Sequence, residues 1–204
     1  MKFNRADIIR SQIGLVGGIA SGKTTISKMF ERFGFTIISL SDFIKEEIKA
    51  KNLEMMSRDV YFDTANAMRR QNGNHIIAQM AINKIVQDDP PCFLIDGIRV
   101  VEEVTLLREA FTDFFLIGIN TSLEERLRRI QLRQREIDAI QIEKILKDIS
   151  RESSDGAQGC QLDLVLQMCD MHINGAMALE EIRDECYKIV TSKIYKPFPR
   201  KEYK

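Results

Sequence analysis

Gly17-Gly18-Ile19-Ala20-Ser21-Gly22-Lys23-Thr24 fits the pattern G-x-x-x-x-G-K-[ST] of a phosphate-binding loop, and its flanks fit as well. Ile13-Gly14-Leu15-Val16 before it reads as a short buried strand. The segment after it, Thr24 to Phe33, sets Ile26, Met29, Phe30 and Phe33 at helical spacing, with Gly34 as the expected stop. A strand, a glycine-rich turn and a helix N-terminus together make a site for a polyphosphate, because the turn aims backbone N–H groups inward and the helix end adds about half a positive charge. The residues Gly17 to Thr25 are therefore assigned to the nucleotide, with Lys23 reaching the β- and γ-phosphates and the Thr24 hydroxyl placed for Mg²⁺.

Working outward, the run Phe35 to Leu40 predicts a second strand opening at Ser41-Asp42 into a helix that one of these two residues caps. The stretch Ser57 to Val86 reads as helix, interrupted near Gln71 to Asn74. Phe93-Leu94-Ile95, ending on Asp96, and Phe114 to Ile119 are continuous apolar runs of the kind buried on both faces of a parallel sheet. A helix is predicted over Val101 to Phe111, a weaker strand over Asp170 to Asn174 and a closing helix over Leu179 to Ile194. Thr121 or Ser122 is the expected cap of a long charged helix. Strands alternating with helices imply right-handed β-α-β units and a sheet covered on both sides, with the phosphate site at its carboxyl edge. Gln131 to Gly159 is highly charged, without a strand, and reads as a helical insertion over the site.

The 204 residues are 44% hydrophobic and 29% charged, an ordinary globular balance for one domain. Thirty basic and thirty acidic residues cancel, which leaves no bulk field for nucleic acid or an anionic membrane. The amino-terminal residues carry no signal-like apolar run and no stretch approaches the ~20 apolar residues of a membrane span, so the cytoplasm is the expected compartment. Four cysteines without a C-x-x-C pair and two isolated histidines suggest no zinc site, disulfide framework or triad. The basic tail over residues 193–204 reads as either frayed or partner-binding. Neither a monomer nor a homo-oligomer is specified.

Phosphoryl transfer needs a cradle, a placed metal, positive charge on the moving group and an acceptor held in line. Asp96, at a strand end, is the expected metal carboxylate. Asp42 is expected at the mouth of the neighbouring strand, orienting or deprotonating an acceptor hydroxyl, unless it serves only as a cap. Arg126, Arg129 and Arg133 fall on one helix face and are expected on the γ-phosphate, the competing reading being a solvated face paired with Glu124, Glu125 and Glu136. Arg69, Arg70 and Arg99 are expected to bind the acceptor's own phosphate, against a reading as plain surface arginines.

The opening residues Ile13 to Thr25, with Gly34 and Asp42, resemble dephospho-coenzyme A kinases. Ile38 to Glu47, Leu94-Ile95-Asp96-Gly97-Ile98-Arg99, and Cys169 to Asn174 with Leu179-Glu180-Glu181 are similar to a branch of nucleotide kinases common in archaea and related to nucleoside monophosphate kinases. The resemblance covers about residues 12 to 190. It implies a P-loop NTPase fold, three-layered α/β/α around a five-stranded parallel sheet, in a kinase domain over residues 1–192. It also implies a lid near 131–159, an acceptor segment near 43–86, ATP and Mg²⁺, and an adenine near Asn174 and Gly175. Leu40 and Glu46 depart from the dephospho-coenzyme A kinase pattern, which puts a (deoxy)nucleoside monophosphate ahead of dephospho-coenzyme A as the expected small-molecule acceptor. The reading of another class is a regulator that binds or hydrolyses ATP without an acceptor.

Overall fold

Hydrophobic side chains on both sides of a strand can be buried only if something covers both faces of its sheet, and this chain supplies helices for each. The structure, a computed structural model, describes residues 11–53, 58–133, 139–152 and 160–195. In chain order it runs β1 (Ser11–Val16), α1 (Lys23–Arg32), β2 (Thr36–Ser39), α2 (Leu40–Ala50), α3 (Arg58–Asn72), α4 (Ile76–Asp88), β3 (Cys92–Asp96), α5 (Val101–Ala110), β4 (Phe115–Asn120), α6 (Leu123–Arg133), α7 (Ala139–Glu152), α8 (Leu162–Gln167), β5 (Met171–Asn174) and α9 (Leu179–Tyr195). The five strands form one parallel sheet in the order β2-β3-β1-β4-β5.

The period of two along each strand sorts the core into two layers. Cys92 and Leu94 of β3, Ile13 and Leu15 of β1, and Ile117 and Ile119 of β4 pack with Phe30 of α1 and Ile182, Cys186 and Ile189 of α9. Phe93, Ile95, Val16 and Leu116 point the other way, onto α2 to α5 and α8. Leu15 lies opposite Asp96 on one side and Ile117 on the other, so the strands finish together and their carboxyl ends share one edge. This is the expected three-layer arrangement. The four cysteines are free thiols; Cys186 is buried, Cys169 half-buried, and burial pushes both up to about 12.

The predicted stop at Gly34 has a full chemical account. Phe35 N–H donates to the Phe30 carbonyl at 3.1 Å and Gly34 N–H to that of Glu31 at 2.9 Å, the two bonds of a Schellman motif, and the Phe30 and Phe35 rings meet edge to face at 5.2 Å. Gly34 sits at φ 94°. Gly34→Ala should cost about 1–2 kcal/mol through that backbone angle alone, since an added methyl meets nothing within 4 Å. Urea unfolding with an unchanged slope would report it.

Two expectations shift and one alternative is resolved. Helix α2 begins at Leu40, directly from the strand, so its cap position is Ser39 and not Ser41 or Asp42; the Ser39 and Ser41 hydroxyls bond each other at 2.7 Å. Ser122 caps α6 through the Glu125 N–H, while the Thr121 hydroxyl donates to the Ser21 carbonyl. Helix α9 runs to Tyr195, so residues 193–195 belong to it; the tail from 196 to 204 lies outside the described residues, as do 134–138 and 153–159 of the predicted insertion.

Candidate active site

The loop between β1 and α1 is shaped by two backbone requirements. Gly22 stands at φ 110° just before the first helical residue, and the Ser21 N–H turns back to the Gly18 carbonyl at 3.2 Å. No side chain caps the α1 N-terminus and no acidic residue lies in its first turn. Thr25 and Ile26 N–H donate to the Gly22 carbonyl, and the Lys23 and Thr24 amides are left for an external anion. Lys23 crosses the loop, its Nζ donating to the carbonyls of Gly17 at 2.6 Å and Gly18 at 2.8 Å. Burial first, then the guanidinium groups of Arg99 and Arg126, pull its ammonium down to about 7, against the opposing pull of Asp96 and Glu152.

Asp96 ends β3 level with Leu15 and Ser39, and its Oδ1 is buried with no hydrogen-bond partner. A carboxylate oxygen left without a donor beside a phosphate loop suits a metal ion or its water. Thr24, exposed in the first turn of α1, carries a hydroxyl that would be the second oxygen donor. These residues fit Mg²⁺.

Helix α6 brings two of its three predicted arginines to the loop. The Arg126 guanidinium lies against Gly18, so close that a methyl there would overlap its Nη1, and its buried Nε has no partner. Arg129 bonds Glu125 at 2.8 Å, the Ser21 carbonyl at 3.2 Å and the Gly175 carbonyl, which ties the phosphate loop to the β5–α9 connection. Arg128 faces solvent and grips Glu125 with two bonds; Arg128 and then Arg129 hold that carboxyl down to about 2. The solvated-face reading therefore applies to Arg128. Arg133 lies at the end of α6, and its side chain is outside the described part of the molecule.

A cavity of about 710 Å³ opens from Ile19, Ala20 and Lys23 toward α2, α3 and α7. Tyr61, Phe62, Ala65, Ile44 and Ile77 give it apolar walls, and Arg69 and Arg99 give it charge. Arg69 is buried and paired with Glu103 at 3.0 Å, while its Nε has no partner. The other Glu103 oxygen accepts the backbone N–H groups of Arg99 at 2.7 Å and Val100 at 3.3 Å. Glu103 thus fixes both arginines from behind. Arg70 is exposed and does not line the cavity.

Asp42 is also displaced from its expected place. It is 60% exposed, paired with Lys45 at 2.7 Å, and does not line this cavity. With the helix starting at Leu40, Leu40 and Ile44 take the cavity face, and position 42, about 200° around from Leu40, turns outward. Asn174 ends β5 opposite Asn120, and its side chain accepts the Ala176 N–H at 3.0 Å. It borders a second cavity of about 500 Å³ with Asn120, Thr121, Ser122 and Arg126. Sequence reasoning missed Tyr61, Glu103, Asp148 and Glu152. Only Glu103 carried a signal, as the acidic third residue of a helix start; the others fall in no motif.

A family model described as an AAA domain matches residues 16–146. The chain is 35% identical over 169 residues to a UPF0200 protein of Methanoregula boonei, covering 83% of this chain and 90% of that one. It is 33% identical over 174 residues to a UPF0200 protein of Methanoculleus marisnigri, covering 85% and 91%. Among solved structures it is similar to TT1252 from Thermus thermophilus, with TM-score 0.63, 14% identity and coverage of 91% and 98%. A shikimate kinase from Acinetobacter baumannii in complex with shikimate gives 0.55 at 16% identity, covering 96% and 99%. These structural likenesses share the fold and leave the acceptor unnamed.

Proposed function

Since the chain belongs to the AAA domain family and counts UPF0200 proteins among its relatives, we propose that it is an ATP- and Mg²⁺-dependent kinase of a nucleotide-like small molecule. The observation that carries the reading is a complete phosphate loop from which a cavity extends toward α2, α3 and α7, holding apolar, aromatic and cationic groups together. A pure ATPase needs no such extension. A (deoxy)nucleoside monophosphate suits it best, its base resting on Tyr61 and Phe62 and its phosphate on Arg69 and Arg99, and dephospho-coenzyme A is the alternative acceptor.

Each residue then has a defined task. The loop amides and Lys23 hold the donor's phosphates, and Lys23 with Arg126 places positive charge where it spreads over the transferring group. Arg129 does not face the reaction; it braces the loop and the Gly175 turn, and Asn174 and Gly175 border the donor base. Thr24 and Asp96 hold Mg²⁺, which when bound offsets charge on the β- and γ-oxygens. Asp42 has no part in this scheme.

Lys23 gives a pH signature. Its folded value of about 7 lies below the ordinary 10.5, so between those limits the unfolded chain binds the extra proton, stability rises with pH, and the cost of burying the charge is greatest below about pH 7. A bound phosphate restores the charge. At pH 8, ATP binding should take up about one proton, read by calorimetry in buffers of different ionisation enthalpy. Binding without proton uptake would mean that the Lys23 ammonium is already charged in the free protein at that pH.

The decisive assay is ADP formation from Mg-ATP with nucleoside and deoxynucleoside monophosphates and dephospho-coenzyme A, each against a control without acceptor. Stimulation by one acceptor is expected. ATP binding with hydrolysis indifferent to all of them would replace the kinase with a regulator.

A further inference from the structure

Glu152 is the final residue of α7, with only 4% of its side chain exposed. Its Oε2 accepts the Ile19 N–H at 2.8 Å, and its Oε1 lies 3.4 Å from Arg99 Nη2. Glu152, Arg99 and Lys23 all line the large cavity. A carboxylate therefore stands where the phosphate loop meets the acceptor chamber, offering a loop amide and an arginine the charge and acceptor oxygens that a phosphate would offer. Lysines of such loops reach the β- and γ-phosphates, which makes the end of the cradle facing the acceptor the terminal-phosphate end.

The helix that carries Glu152 is fastened at two further points. Asp148 faces Arg58 at 3.6 Å, and Arg151 pairs with Asp59 and lies 5.7 Å over the Phe62 ring. Positions 148, 151 and 152 share one helical face. Through them α7 grips α3, a wall of the acceptor chamber, and the phosphate loop at once.

Resting on the ATP reading above, we infer that Glu152 is an internal competitor for the transferable phosphate and so determines how the cradle discriminates a triphosphate from a diphosphate. ATP must displace the carboxylate from the Ile19 amide. ADP ends short of it and leaves α7 in place. If the carboxylate holds the cradle about 90% of the time, the apparent affinity for ATP is weakened about tenfold.

The test is the dissociation constant of Mg-ATP and of Mg-ADP, by calorimetry, for the wild type and Glu152→Gln, which keeps the shape and loses the charge. Glu152→Asp, one methylene shorter, is the second variant should the first fail to fold. ATP should bind about three- to tenfold more tightly to the variant while ADP stays within about twofold. Unchanged or weakened ATP binding overturns the competitor role and leaves the kinase reading standing, and equal tightening of both nucleotides overturns it by pointing to general charge relief. Absence of ATP binding in every protein overturns both.

Discussion

Replacing Lys23 by alanine lowers the rate of phosphoryl transfer by at least about a hundredfold, the cost of losing one preorganised donor to developing charge. The geometry behind that figure is local: Nζ spans the loop on two carbonyls, and the neighbouring cations do not replace it, since the Arg99 backbone is held by Glu103 with its side chain lining the acceptor chamber and Arg126 packs on Gly18. The fold should not suffer. Lys23 bears a desolvation cost that the variant escapes, so its unfolding midpoint should match or exceed that of the wild type. Lys23→Arg should recover little, because a planar fork does not fit a point-charge site. A variant with near wild-type rate and the same midpoint would remove the proposed site altogether.

Glu103→Ala should cost about 3–5 kcal/mol of stability, well beyond the loss expected for Gly34→Ala. Both partners of the Arg69–Glu103 pair are at most 3% exposed. Removing the carboxylate leaves a buried guanidinium charge and two backbone N–H groups, those of Arg99 and Val100, without an acceptor. For a chain of this size the midpoint should drop by roughly 10 °C. The double change Arg69→Met with Glu103→Leu should restore part of it, because replacing both charges with apolar groups removes the orphaned cation while the Arg99 and Val100 N–H groups stay without the Glu103 acceptor. A loss below about 1 kcal/mol for Glu103→Ala would mean that water reaches the pair and that Arg69 is not held by it.

What the chain disclosed beforehand follows the range of the forces involved. Strands β1, β3 and β4 were legible because burial on both faces leaves uninterrupted apolar runs, and the phosphate loop because its chemistry is written within eight consecutive residues. The stop at Gly34 was legible for the same reason. Asp42 was misplaced by a local ambiguity: moving a helix start from position 42 to 40 turns every side chain by about 200°. Arg126 and Arg129 were grouped with Arg133 on one helix face, yet only the fold separates the one that touches Gly18 from the one that braces Gly175. Glu152 was invisible, since its partner Ile19 lies 133 residues away and a lone glutamate in a charged segment has no pattern to betray it. Helix α8, six residues long, was passed over because it is too short for a period to show.

The central position of β1 carries a consequence for synthesis. Strand β1, the first among the described residues, is flanked by β3 and β4, whose residues Cys92 and Phe115 leave the ribosome long after Ser11, and Ser21 of the loop receives its hydrogen bond from Thr121. Both edges of that first strand therefore wait, unpaired, while roughly a hundred further residues are translated, about 5–20 s at ordinary elongation rates. Through that interval the nascent chain presents a short apolar ribbon with open edges to whatever shields emerging polypeptides, and the nucleotide cradle takes shape only when Gly175, far downstream of the loop, comes into reach of Arg129.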